Sequence, residues 1–372
     1  MRRARLAVAA GLLAAALAPA PLPAAAGEAL YITEGNRLRV VDLASLDAGP
    51  LRQRILIQNA DTDPARGRDV NGPVCALPGG SGRFVCGEDS GQPSPPAGWG
   101  VFGADGAQVG KLTPTYQSSY PEPYGCAFAA NGRLFTSEVG DPGFWRANGQ
   151  LLLWFPPFDR FPGPSGAYPK SDEPSAGFCK LATDLGTAGA VAIDRQERVY
   201  VTSAGRLRVL RFLPPFPSSD DLEGGCGGRD VTGAPVAAEV RRETFLGPHF
   251  RRLLLTYTGL AFSPRGTLYV ASVLTGRIAE FEQGGDFVRM LLEPESWLPP
   301  HATGTPQGLA VDAQGTLYYA DLNLVWKGLW PGPGPNGKVW RIRFERDGTP
   351  RAPEIVLQGL AFPDGLAVLE TQ

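Results

Sequence analysis

The stretch Gly308-Leu309-Ala310-Val311-Asp312-Ala313-Gln314-Gly315-Thr316-Leu317-Tyr318-Tyr319-Ala320-Asp321 decides the fold. It reads as a Gly, a short apolar strand, a polar turn carrying a second Gly, and a second strand of the form Leu-Tyr-x-x-Asp. β-branched and aromatic runs on either side of a Gly-bearing turn form an antiparallel hairpin. A single hairpin cannot bury its own apolar face, so its recurrence is what carries the argument. Gly72-Pro73-Val74-Cys75-Ala76 leads to Arg83-Phe84-Val85-Cys86-Gly87-Glu88, and Gly125-Cys126-Ala127-Phe128 to Arg133-Leu134-Phe135-Thr136-Ser137-Glu138. Gly189-Ala190-Val191-Ala192-Ile193 leads to Arg198-Val199-Tyr200-Val201-Thr202-Ser203, and Gly259-Leu260-Ala261-Phe262 to Thr267-Leu268-Tyr269-Val270-Ala271-Ser272. These copies recur at an irregular spacing of roughly 50 to 70 residues, a repeat with insertions.

A sixth copy is split between the ends of the chain. Asp364-Gly365-Leu366-Ala367-Val368 supplies a first strand with no second, and Ala29-Leu30-Tyr31-Ile32-Thr33-Glu34 a second with no first. Pairing them closes a ring and removes an exposed sheet edge. Third strands follow at Arg37–Val41, Leu151–Trp154, Arg206–Leu210 and Lys338–Ile342, and a fourth at Phe287–Leu291. The expectation is an all-β, six-bladed propeller of four-stranded antiparallel blades, its first blade closed by strands from both termini.

Composition agrees. Of 372 residues, 43% are hydrophobic and 19% charged, and 48 Gly with 36 Pro interrupt any long helical window. The formal charge of −2 excludes a strongly basic nucleic-acid binder. Met1-Arg2-Arg3-Ala4-Arg5, the apolar run Leu6–Ala18 and the small residues Ala24-Ala25-Ala26 have the three parts of a secretory signal peptide. The expected organisation is therefore a signal peptide over 1–26 and a single propeller domain over 27–372. The protein is expected to be exported to a periplasmic or extracellular compartment, with no membrane insertion after cleavage.

Export makes the five cysteines informative, since disulfides persist in oxidising compartments. Cys75 and Cys86 flank the turn Pro78–Gly82 and are expected to bridge as opposed hairpin residues. Cys179 and Cys226, in long polar connections, make a plausible second pair. Cys126, within an apolar run, reads as a buried core thiol.

At these residues a family resemblance enters. The Gly308–Tyr318 and Gly259–Tyr269 units resemble NHL-type repeats and the blades of senescence-marker-protein/gluconolactonase and strictosidine-synthase-like propellers. Members of these families include calcium-dependent lactone hydrolases, a metal-independent condensing enzyme, a streptogramin lyase and plain binding modules, so the resemblance implies a fold and leaves the reaction open.

Propeller geometry places the start of each first strand and the end of each second strand on one face. The residues preceding the repeated Gly form an inner ring there: Asn71, Tyr124, Ala188, Thr258, Gln307 and Asp364. The connections 158–187, 213–257 and 293–306 are expected to emerge on the same face. Asp364, Asn71 and Gln307 offer oxygen ligands that suit a divalent cation such as calcium. Pro363-Asp364-Gly365 resembles the Pro-Asp-Gly motif whose Asp is a metal ligand in gluconolactonase-like enzymes, and Asn71-Gly72 resembles their Asn-Gly motif. The chain departs from that pattern where Tyr124, Ala188 and Thr258 stand at the remaining ring positions. The other reading of Asp364 and Asn71 is strand capping by Asx hydrogen bonds.

Around this ring, His301 is the candidate general acid or base, with Glu88, whose charge is doubled by Asp89, as a second catalytic candidate. The alternative for His301, as for His249, is a solvated loop histidine. Glu34, Glu138 and Asp321 read as acceptors for the turns that follow them. Tyr124, Thr258, Gln307 and the Pro-stiffened aromatic Trp326 are candidate substrate contacts. Two functions follow: a metal-assisted hydrolase of a lactone or similar ester, or a non-catalytic propeller recognising a small molecule, glycan or protein.

Overall fold

Successive strands pair antiparallel through short turns, and the described residues build one ring of blades in a computed structural model. The structure describes residues 27–35, 37–58, 70–79, 81–88, 98–112, 123–139, 148–159, 176–221, 226–228, 231, 236–248, 256–296 and 298–371, the side chains of Asn71 and Thr371 excepted. The proposed signal peptide, residues 1–26, and His249 lie outside the described residues.

Strands β1 (Gly27–Glu34), β2 (Arg37–Asp42) and β3 (Gln53–Gln58) belong to blade 1. Blade 2 comprises β4 (Val70–Ala76), β5 (Phe84–Glu88), β6 (Gly98–Phe102) and β7 (Gln108–Leu112). Blade 3 comprises β8 (Pro123–Phe128), β9 (Leu134–Glu138), β10 (Gln150–Trp154) and β11 (Phe178–Ala182). Blade 4 comprises β12 (Ala188–Ile193), β13 (Val199–Ser203), β14 (Arg208–Phe212) and β15 (Arg242–Leu246). Blade 5 comprises β16 (Tyr257–Phe262), β17 (Leu268–Ser272), β18 (Arg277–Phe281) and β19 (Phe287–Leu292). In blade 6, β20 (Pro306–Val311) and β21 (Leu317–Asp321) are followed by a separate hairpin, β22 (Leu324–Lys327) and β23 (Trp330–Pro333). The blade then resumes with β24 (Gly337–Ile342) and β25 (Glu354–Leu360). Strand β26 (Pro363–Thr371) returns to pair with β1 and becomes the innermost strand of blade 1, closing the ring as expected.

The core lies between the blades. Each blade buries both faces, so its strands read as almost continuous apolar runs rather than an alternation. Between blades 1 and 2, for example, Tyr31, Leu38 and Leu369 pack on Val74, Phe84 and Phe102, with the Phe84 and Phe102 rings stacked at 5.3 Å. Equivalent clusters fill the other inter-blade spaces.

The repeated Gly has a steric cause. A Cβ on Gly365 would lie 2.0 Å from the Gly72 carbonyl oxygen, one on Gly308 2.3 Å from that of Asp364, and one on Gly259 2.3 Å from that of Gln307. The innermost strands of blades 1, 3, 5 and 6 thus press their Gly against the backbone of the next blade, an approach only hydrogen permits, while at Gly189 of blade 4 the crowding comes from the Thr202 hydroxyl of its own blade. The hydroxyl of Thr33, next to last on β1, supports the contact by donating to the Gly72 carbonyl at 2.7 Å, and that of Ser137 donates likewise to Gly189.

Two disulfides tie the blades, as in chains that fold in an oxidising compartment. Cys179–Cys226 forms as expected. The expected Cys75–Cys86 bridge does not: Cys75 pairs with Cys126, with Cα atoms 6.1 Å apart, and Cys86 is a buried free thiol. Register is the reason. Val74 stands opposite Cys86, and Cys75 opposite Val85. That offset of one residue puts the two sulfurs on opposite faces of blade 2. Cys75 therefore faces blade 3 and meets Cys126 of β8, which is a disulfide half rather than a free core thiol. Cys86 faces blade 1.

Strand direction also corrects the expected placement of the connections. The link from β10 to β11 and that from β14 to β15 join a third strand to a fourth, and so leave from the end opposite the starts of the inner strands. Phe178–Ala182 and Arg242–Leu246 are fourth strands, and each adds one chain reversal to the expected course of 158–187 and 213–257. The 293–305 connection does emerge on the mouth face, because it joins β19 to β20.

Candidate functional site at the channel mouth

Six inner strands converge on a central channel of about 230 Å³, lined among others by Tyr124, Thr258, Gln307 and Asp364. Four of the residues expected at the site are thus brought together. Each begins an innermost strand one position before the close-packed Gly, which fixes its backbone and turns its side chain toward the channel or its rim. Ala188 holds the equivalent position in blade 4 and is fully buried.

Asp364 is held by its neighbours in blades 1 and 2. Its Oδ1 lies 2.8 Å from the Thr33 hydroxyl and accepts from the Gly72 N–H at 3.2 Å. The same hydroxyl accepts from the Gly365 N–H at 2.9 Å. Burial among the strands raises the Asp364 pKa to about 6, against the lowering effect of the Thr33 and Gly72 bonds. The group therefore changes charge near neutral pH. The capping role of Asp364 is real, and it coexists with a place on the channel wall.

On the other side, Gln307 Nε2 donates to the Tyr124 hydroxyl at 2.8 Å. The two residues come from blades 6 and 3, diametrically placed in the ring, so the bond spans the channel. Thr258 turns its hydroxyl to the Pro306 carbonyl at 3.2 Å and so ties blade 5 to blade 6.

The remaining candidates sit elsewhere. Glu88 is buried within blade 2, where Lys111 Nζ lies 2.6 Å from Oε2 and Gln108 Nε2 donates to Oε1 at 3.0 Å. It fills the space over Gly100, where a Cβ would meet its Oε1 at 2.6 Å, so it is an internal ion pair and does not line the channel. His301 is buried against the turn that follows β17: Nε2 bonds the Leu274 carbonyl at 3.1 Å, and its ring occupies the place of a Cβ on Gly276. Trp326 stands on the β22–β23 hairpin, outside the channel lining. Asn71 lies in β4, and its side chain is outside the described residues.

Asp321 accepts from Asn323 N at 2.8 Å in the turn that follows it, as expected, and from Thr305 N at 2.7 Å, whereas Glu34 is bound by the Arg39 guanidinium of the neighbouring strand at 2.7 Å rather than by a turn. Glu138 differs. It is buried, its Oε2 has no hydrogen-bond partner, and burial raises its pKa to about 7 despite the charge of Lys180.

The described residues do not fit a divalent cation. No group of three His, Cys, Asp or Glu side chains comes together among them, and the channel contributes one carboxylate whose Oδ1 is already engaged. A calcium site needs six or more oxygen ligands.

No protein-family model and no curated protein matches the chain. Solved structures do. A protein of unknown function from Bacteroides caccae is 11% identical, with 93% of this chain and 99% of that chain covered at a TM-score of 0.52. A 6-phosphogluconolactonase candidate from Bacteroides uniformis is 13% identical, with 92% and 85% covered at 0.50. Virginiamycin B lyase from Staphylococcus aureus is 11% identical, with 89% and 81% covered at 0.48. At such identities the likenesses to the two Bacteroides proteins show the fold alone, and that fold hosts several chemistries.

Proposed function

We propose that the protein is a binding propeller that takes a small, neutral, polyol- or lactone-like molecule at the channel mouth. The observation that carries this is the convergence of Asp364, Tyr124 and Gln307 on one channel, while His301 and Glu88 are engaged away from it. A carboxyl, a phenol and an amide provide donors and acceptors for hydroxyl and ester oxygens. Val74, Leu260 and Leu309 provide apolar wall. The volume suits one monosaccharide-sized ring. No cationic side chain lines the channel among the described residues, which disfavours an anionic ligand.

One observation favours a second reading. A carboxyl with a pKa of about 6 is suited to general acid or base work near neutral pH, which keeps open hydrolysis of a lactone with Asp364 as base. Thermal-shift measurements with glucose, glucono-δ-lactone and gluconate, run beside an alkali-consumption assay on the lactone, separate the two. The binding reading expects stabilisation by the neutral molecules and not by gluconate, with lactone loss at the uncatalysed rate. Turnover abolished in Asp364→Asn would establish the hydrolase instead, and no stabilisation by either neutral molecule would contradict the binding reading.

A further inference from the structure

The β22–β23 hairpin belongs to no blade. It leaves β21 at Asp321 and re-enters the blade at Gly337, so it rises from the mouth face of blade 6. Its base is firmly rooted: Leu322 and Leu324 pack on Val273, Leu274 and Phe362, Leu324 N donates to the Thr305 hydroxyl at 3.0 Å, and Gly334 N to the Asn323 carbonyl at 2.8 Å. Its tip is free. Leu329 is 88% exposed, Trp330 77% and Trp326 46%. Three large apolar side chains of this exposure on one short hairpin form an apolar projection, unlike the scattered apolar residues normal on a surface.

Their arrangement indicates what they meet. Trp326 stands opposite Pro331 and Lys327 opposite Trp330, so the two indoles are on opposite faces of the ribbon, with Leu329 at the apex. A platform for a sugar or other flat ligand would gather its rings on one face. A tip apolar on both faces and at its end suits a medium that surrounds it. Gly328, at φ +71°, makes the tight turn that sets Lys327 opposite Trp330, and the open outer edges of the two-stranded ribbon limit it to the hydrated interface. Charge points the same way. Residues 322–344 contain no Asp or Glu, and the tip carries Lys327, in a chain whose formal charge is −2. A cation beside interfacial tryptophans is the chemistry of attachment to anionic lipid.

We propose that this hairpin seats its tip in the interface of an anionic phospholipid bilayer, holding the mouth face toward the membrane. This is attachment at the surface rather than spanning, and it departs from the expectation of no membrane insertion after cleavage. No helix among the described residues is long and apolar enough to cross a membrane.

The test is sedimentation of the folded protein with vesicles of phosphatidylcholine, with and without phosphatidylglycerol. The wild type is expected to co-sediment with the mixed vesicles, and less with phosphatidylcholine alone. The double variant Leu329→Ser, Trp330→Ser is expected to lose about tenfold or more in vesicle affinity, with an unchanged melting temperature because both residues are exposed. Lys327→Glu should weaken binding to the mixed vesicles alone. The proposal is overturned if the wild type stays in the supernatant with both vesicles, or if the double variant sediments as the wild type does. It is also overturned if the serine changes instead abolish a concentration-dependent dimer or a saccharide-induced shift in tryptophan fluorescence, since either assigns the tip to another occupant.

Discussion

Gln307 and Tyr124, 183 residues apart in sequence, meet at 2.8 Å across the central channel. The bond divides the mouth. A ligand that enters must either displace the amide from the phenol or use both as an adjacent donor and acceptor. Tyr124→Phe removes the hydroxyl and leaves an amide able to turn to channel water, so the stability cost should stay near 1 kcal/mol. Ligand affinity should fall more than stability does, as read by melting with and without glucono-δ-lactone.

The pH dependence of stability has a definite sign. Asp364 and Glu138 have folded pKa values of about 6 and about 7, raised from 3.8 and 4.5. The native state therefore retains protons that the unfolded chain has released. Stability is highest below the unfolded values and falls as pH rises through about 6 for Asp364 and about 7 for Glu138. The loss should be no more than about 3 kcal/mol for either group, and less for Asp364, which is only half-buried. Denaturant melts at intervals from pH 4 to 8 should show the decline. Glu138→Gln should flatten its upper part and Asp364→Asn its lower part.

Close packing at the inner ring predicts that Gly365→Ala is severely destabilising. The new methyl would fall 2.0 Å from a backbone oxygen that cannot rotate away, so the inner strands of blades 1 and 2 must separate. A cost above about 3 kcal/mol is expected, as for other overpacked cores. Gly79→Ala is a control for added side-chain bulk, because a Cβ there meets nothing within 4 Å. That position still carries its own backbone cost at φ +96°.

The Cys75–Cys126 bridge joins the inner strands of blades 2 and 3 across a separation of 51 residues. Chain-entropy reasoning gives about 4 kcal/mol for a loop of that length. Replacing both cysteines by serine should lower the melting temperature accordingly, and peptide mapping without reduction should recover residues 75 and 126 linked, with Cys86 alkylated only after unfolding.

The ring was readable in the sequence because each blade repeats a local hairpin whose Gly, turn and Leu-Tyr strand lie within about fifteen residues. The closure by β26 was legible for the same reason: Asp364–Val368 and Ala29–Glu34 are recognisable halves of one unit. Legibility fell where pairing depends on a single residue of register. Cys75 and Cys86 straddle a turn, yet the register that turn sets pairs Val74 with Cys86 and Cys75 with Val85, and so puts the two sulfurs on different faces. The fourth strands Phe178–Ala182 and Arg242–Leu246 were missed because they follow long Pro- and Gly-rich connections and carry no repeat signature. Asp364, Tyr124, Thr258 and Gln307 were found by their position before the Gly. Glu88 was misplaced because its partner, Lys111, comes from β7, two strands away. The β22–β23 hairpin was not legible beyond Trp326 as a candidate contact, although Lys327-Gly328-Leu329 between Trp326 and Trp330 carries the turn signal.

The most direct test of the channel reading is a calorimetric titration of glucose into the wild type and the Tyr124→Phe, Gln307→Leu double variant at pH 5 and pH 8. The account predicts saturable one-site binding to the wild type at both pH values, with an affinity that changes between them as Asp364 titrates, and at least about tenfold weaker binding by the variant. Equal affinity for wild type and variant, or no heat of binding at either pH, would contradict it.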